Sequence, residues 1–178
     1  YEMISGHRRR YASRLAGKEE IPAIVREMDD DTATILMVDS NLQREHILPS
    51  ERAKAYKMKL EALRHQGKRT DLTSCQVDTK LRADEELAKQ TGESARTIQR
   101  FVRLNNLIPE LLDLVDEKKI AFNPAVELSY MKPEEQKDFF EAMELAQTTP
   151  SLSQAQRLKK LSQEGNCTAE IIESIMDE

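Results

Sequence analysis

Apolar residues along most of the chain recur with a helical period, and prolines and glycines cut that pattern into short lengths. Tyr1–Ile4 is a short strand candidate. Gly6 opens an Arg-rich helix to about Leu15, closed by Gly17, and Pro22–Arg26 is a second strand candidate. Asp29–Asp31 supplies N-cap chemistry for a helix over 31–42, although Ile35, Leu36, Met37, Val38 and Leu42 also suit a strand. Pro49 and Ser50 start a long helix to about His65, since a proline N–H is not needed in a first turn. The polar run Gln66-Gly67-Lys68-Arg69-Thr70-Asp71 is the best breaker and domain boundary. Beyond it the pattern predicts helices over 73–81, 84–90, 95–105, 109–118, 124–130, 133–146, 151–163 and 168–177, several opened by a proline. The expected fold is mainly α. A partial α+β unit (1–66) precedes an all-helical unit (67–146) and a helical linker or extension (147–178).

Composition sharpens this picture. Aromatics make up 4% and Trp is absent, while 33% of residues are charged, which suits small helical units better than a β-sandwich. The net charge of −5 conceals a strong asymmetry. Residues 6–18 carry Arg8, Arg9, Arg10, Arg14 and Lys18 without an acid. Residues 164–178 carry Glu164, Glu170, Glu173, Asp177 and Glu178 without a base. Cys75 and Cys167 are far apart, with neither a CxxC pair nor zinc spacing, and read as free thiols in a reducing cytoplasm. No apolar run approaches a membrane span. The start at Tyr1 reads as a fragment of a longer protein.

The most informative segment is 84–105. Asp84–Gln90 forms one short helix, Thr91-Gly92-Glu93-Ser94 a turn, and Ala95–Asn105 a second helix N-capped by Ser94. At about 100° per residue, Arg96, Gln99, Arg100 and Arg103 share one face while Ile98, Phe101 and Val102 occupy the other. An apolar face packs on the preceding helix. An Arg/Gln face can enter a major groove, where Arg pairs with guanine and Gln with adenine. The bland alternative is an amphipathic helix with solvated arginines. The helix, turn and capped basic helix together favour a helix-turn-helix contacting DNA through Lys89, Ser94, Arg96, Thr97, Gln99, Arg100 and Arg103, with Arg103 on phosphate. Residues 80–103 sum to only +2, so affinity from this unit alone should be modest.

Two further segments are less decisive. Gly6-His7-Arg8-Arg9-Arg10-Tyr11-Ala12 follows a strand candidate and opens a helix, an arrangement that suits either an anion site or a solvated basic face. Asn41-Leu42-Gln43-Arg44-Glu45 is by itself an interhelical turn. His46 and His65 lack matching ligands, no Ser, His and Asp group as a triad, and Met131 and Met143 read as core filler.

Taken in order, these segments resemble the ParB family of partition proteins, whose members carry a GERRxRA-like box, an ENLQRE segment and then a helix-turn-helix. The matching residues are Gly6–Ala12, Ile21–Arg26, Ser40–Glu45 and Pro49, over roughly residues 1–130. The nearest resemblance is to ParB-like proteins of mobile elements. It implies a dimeric DNA clamp that binds CTP with Mg²⁺, loads at a centromere-like site, associates with the nucleoid in the cytoplasm and works with a ParA-type ATPase. By position the resemblance assigns Gly6, His7, Arg8, Arg9, Ser40, Asn41, Arg44 and Glu45 to the nucleotide, with Gly6, Arg8 and Arg9 on the triphosphate and Asn41 beside the metal.

Two positions depart from the family pattern. His7 replaces the Glu of the first box, and Ser40 replaces the Glu before Asn41 that serves metal binding and hydrolysis. A hydroxyl substitutes poorly for a carboxylate at Mg²⁺, although Asp39 is adjacent, so CTPase activity is at most weak. Family members also have strands and a Gln- and Arg-bearing segment ahead of these boxes, so the resemblance supplies half a pocket here. The alternative is a helix-turn-helix transcription regulator of a mobile element without CTP dependence. A sulfiredoxin-like enzyme is disfavoured because His7, rather than Cys, occupies the box.

Overall fold

The computed structural model describes the backbone of residues 1–70 and 76–177, and the side chains of 1–66 and 83–177. Its helices are α1 (His7–Leu15), α2 (Asp30–Leu42), α3 (Pro49–Thr70), α4 (Gln76–Thr91), α5 (Ala95–Arg103), α6 (Pro109–Asp116), α7 (Phe122–Leu128), α8 (Pro133–Ala146), α9 (Leu152–Glu164) and α10 (Ala169–Met176). A 3-10 turn, Leu104–Asn106, joins α5 to the loop before α6. The mainly helical expectation holds. Residues 31–42 resolve as helix, because Asp29 accepts a hydrogen bond from the Thr32 N–H at 2.7 Å and so caps the first turn.

Three expected local features differ. Tyr1–Ile4 and Pro22–Arg26 form no strand among the described residues; Ile24 and Val25 are exposed, and a lone extended segment has no ladder to join. The run Gln66–Thr70 continues α3, since one glycine at about 1 kcal/mol cannot outweigh a long helix; Asp71 lies outside the described residues. The segments expected as 73–81 and 84–90 merge into α4 from Gln76 onward. Nothing between them breaks a helix, and Ala83 and Leu87, four residues apart, bury together. Residues 73–75, including Cys75, lie outside the described residues.

Among the described residues, two apolar clusters organise the chain. The first joins Tyr56, Leu60 and Leu63 of α3 to Ala83 and Leu87 of α4 and Ile98 of α5. The second is built from α6–α10 around Leu111, Phe139, Leu158 and Ile172, and includes Ala53 of α3 and the expected filler Met131 and Met143. Phe101 of α5 packs against both clusters and sets its ring edge-on to Tyr56, 5.8 Å between centroids. Buried Gln136 closes the second cluster's polar seam. It accepts from the Ile108 N–H and donates to the Asn106 and Met131 carbonyls.

Candidate nucleic-acid interface

Local chemistry sets the turn between α4 and α5. Gly92 adopts φ 73°, a left-handed conformation that costs glycine little. The Ser94 hydroxyl accepts from the Thr97 N–H at 3.1 Å and lies 2.8 Å from the Thr97 hydroxyl, capping α5. Glu93 in the turn pairs with Arg52 of α3 at 3.1 Å, and Arg52 also lies over the Phe101 ring at 5.2 Å. The second helix is therefore held from below by Ile98 and from its start by α3.

The side chains expected to face DNA divide into three groups. Lys89 and Arg96 are exposed, one in the last turn of α4 and the other in the first turn of α5. Gln99 is turned back on α4, where its amide donates to Asp84 at 2.5 Å; Asp84 also accepts from Arg64 at 3.2 Å. Arg100 and Arg103 meet the two ends of α7. Arg100 donates to Asn123 at 2.5 Å and lies 5.1 Å over Phe122. Arg103 donates to the Ser129 carbonyl at 3.0 Å and lies 4.0 Å over Tyr130, whose ring also receives Lys159. Helical spacing put these residues on one face of α5. It carried no information about which of them α4 and α7 engage, so Asp84, Phe122, Asn123 and Tyr130 escaped sequence reasoning.

The segments expected at a nucleotide are placed separately. On α1, Gly6 is the N-cap with φ 99°, and His7, Arg8 and Arg9 are exposed; the helix buries no residue. That end offers free N–H groups and guanidinium groups to an anion, which fits a triphosphate. The metal half does not fit. The Ser40 hydroxyl donates to the Met37 carbonyl at 2.8 Å, and the adjacent Asp39 carboxylate is taken by Lys59, a lysine of α3 only 1% exposed. Asn41 is half-buried at the end of α2, and its carbonyl accepts from the Arg44 N–H. Arg44 and Glu45 line a cavity of about 410 Å³ with His46, Arg52, Asp116 and Lys118. Among the described residues no three His, Cys, Asp or Glu side chains converge on a metal position.

Other expected groups have ordinary surroundings. His65 is exposed and 3.4 Å from Asp31. Burial, with Glu135 and Asp138 nearby, pushes the Cys167 thiol up to about 11, which keeps it protonated and poorly nucleophilic near neutrality. Among the described residues no helix is long and apolar enough to cross a membrane.

Comparison with known proteins bears on both halves of the chain. Residues 1–42 match the family model described as the ParB N-terminal domain, and residues 72–164 match the ParB HTH domain. Curated relatives include the chromosome-partitioning protein Spo0J of Thermus thermophilus, 31% identical over 160 residues, which spans 90% of this chain and 52% of the relative. Stage 0 sporulation protein J of Bacillus subtilis is 34% identical over 121 residues, 68% of this chain and 37% of the relative. A nucleoid occlusion protein of Listeria monocytogenes is 33% identical over 136 residues, 76% of this chain and 42% of the relative. The chain thus spans about half or less of the length of these relatives. Among solved structures, a C-terminally truncated ParB from Caulobacter crescentus complexed to the centromeric parS site aligns over 99% of this chain and 74% of its own. The sequence identity is 20% and the TM-score 0.48.

Proposed function

The chain belongs to the ParB family, and from that premise we propose that it binds a specific double-stranded DNA site as part of a partition system. The observation that carries this reading is the short helix α5, capped by Ser94 and seated on Ile98, with exposed Arg96 in its first turn and Arg100 further along. A helix of this width fits the major groove, and Arg96 and Arg100 have the reach and geometry to bridge guanine O6 and N7. Lys89, Ser94 and Thr97 lie at the α4–α5 junction, where phosphate contacts fix register. Gln99 reaches a base only by leaving Asp84. Arg103 braces α5 on α7 and meets backbone phosphate at the helix end.

The relatives named as chromosome-partitioning proteins support the partition role, and a centromere-like site as the target belongs to the proposal. A dimeric clamp on the nucleoid, a ParA-type ATPase as partner and a mobile-element origin belong to the same proposal. CTP enters through the basic end of α1. Gly6, Arg8 and Arg9 hold the triphosphate there, and its binding supplies the signal for clamp closure. With the Ser40 hydroxyl and the Asp39 carboxylate both engaged, residues 39–41 offer a metal no free carboxylate, and hydrolysis forms no part of the proposal.

That engagement also favours a second reading, a site-specific regulator indifferent to nucleotide. One experiment separates them: selection of bound sequences from random DNA, with and without CTP and Mg²⁺. A single enriched site whose retention changes with CTP supports the clamp. The same site with no CTP effect supports the regulator. Absence of any enriched site overturns both.

A further inference from the structure

The C-terminal end of α5 meets a cluster that α4 and α5 do not themselves contain. Tyr130, in the turn after α7, is exposed and carries two cations on its ring. The Arg103 guanidinium of α5 and the Lys159 ammonium of α9 each lie 4.0 Å from the ring centre. The two charges are therefore no further apart than twice that distance. Glu127 of α7 answers one of them, accepting from Lys159 at 2.8 Å. Arg103 donates one N–H to the Ser129 carbonyl, while its Nε is buried and pairs with no described atom.

Helix α9 is fixed in this place. Ser151 and Gln154 form a capping box at its start, and Ala155 and Leu158 bury in the second cluster. Lys159 follows Leu158 and emerges half-buried at the edge of that packed face, against Tyr130. Lys160, about 100° further round the helix, is exposed and pairs loosely with Glu164 at 3.9 Å. Packing of α9 on α7 asks for no cation at this edge. A second positive charge on a ring that already holds Arg103 adds repulsion in a partly desolvated place. An anion within reach of both cations offsets it.

We infer that Lys159 and Arg103, set on Tyr130, share a backbone phosphate of the bound DNA, so that α9 takes part in holding the duplex. This rests on the DNA reading above and adds to it a residue outside α4 and α5. A helix docked in the major groove brings its C-terminal end towards the flanking strand, where contacts fix register and carry no sequence information. An ammonium has three donors, so Lys159 turns one to a phosphate oxygen while Glu127 keeps another. Glu127 tempers the contact, because its charge opposes that of the phosphate.

Fluorescence anisotropy of the full chain tests it, on the selected site and on a scrambled duplex across a series of NaCl concentrations. Circular dichroism confirms the fold of each variant. Lys159→Gln is expected to weaken both duplexes about five- to tenfold at low salt. It should also reduce the slope of log affinity against log salt by about 0.9, the share of one phosphate. Lys159→Arg should restore the slope, and Lys160→Gln should leave it unchanged. Glu127→Gln, which removes the opposing charge, should tighten both duplexes. Affinity lost in Lys159→Gln with the slope intact makes Lys159 a brace for Tyr130 and overturns the inference. An equal slope change in Lys160→Gln, or weaker binding in Glu127→Gln, overturns it as well. A wild-type chain that prefers no site over the scrambled duplex overturns the DNA reading itself, before any variant is compared.

Discussion

Arg100 on α5 donates to the side-chain oxygen of Asn123 at 2.5 Å, with its guanidinium over Phe122. The start of α7 thus decides the direction of an arginine that α5 alone would leave free. Arg96, one turn earlier, has no such guide among the described residues and is exposed. Both substitutions to Ala should weaken specific DNA binding by about 1–3 kcal/mol. Asn123→Ala should weaken binding through Arg100 alone, so that Arg100→Ala adds little further in the double variant. Fluorescence anisotropy with the selected site measures all four, and additive losses for Asn123 and Arg100 would show that they act separately.

The Asp39–Lys59 pair predicts an asymmetry. Lys59 is 1% exposed, whereas the Asp39 side chain retains 40% exposure. Asp39→Ala strands a buried ammonium and should cost about 3 kcal/mol, the range for breaking one partner of a buried pair. Lys59→Met leaves an acid that water can solvate and should be near neutral or stabilising. Urea unfolding of the two variants gives the comparison, and equal losses would sink it.

Tyr56 makes stability fall at high pH. Burial, reinforced by the Glu93 charge and a hydrogen bond to it, raises its pKa from 10.0 to about 12 despite the opposing Arg52. Between these values the unfolded chain releases the phenolic proton while the folded chain keeps it. Stability from this group is therefore full below pH 10 and is lost as pH rises towards 12. Tyr56→Phe should flatten that part of the alkaline stability curve in thermal melts, and an unchanged slope would exclude Tyr56 as its source.

Among the described residues, two helix ends carry a non-glycine residue in the left-handed region, Lys118 after α6 at φ 61° and Gln147 after α8 at φ 50°. Glycine avoids the clash between Cβ and the following carbonyl that costs L residues about 1–2 kcal/mol there. Lys118→Gly and Gln147→Gly should each raise the unfolding midpoint, with a net gain of about 0.5–1 kcal/mol after glycine's entropic cost. A lower midpoint for either would locate a compensating contact of the native side chain.

Much of this protein was legible in local pattern. Helix starts at Pro49, Pro109 and Pro133, the caps at Asp29 and Ser94, and the turn at Gly92 depend on a few neighbouring residues, and the chain states them directly. The apolar face of α5 was equally plain, because a 3.6-residue period leaves Ile98 only one side on which to bury. The expected strands at 1–4 and 22–26 were not decided locally, since a strand exists only with a partner. Neither was the continuity of α3 through Gly67.

The candidate interface shows the same division. The sequence alone determined that Arg96, Gln99, Arg100 and Arg103 share one side of a capped helix. Only the tertiary structure decided that Asp84 holds Gln99, that Asn123 and Phe122 hold Arg100, and that Ser129 and Tyr130 hold Arg103. Likewise Ser40 and Asp39 were legible as positions beside Asn41, but Lys59 lies twenty residues past Asp39. Helical periodicity specifies which way a side chain leaves its own axis. What waits for it there is set by packing between helices, which no period within one helix encodes.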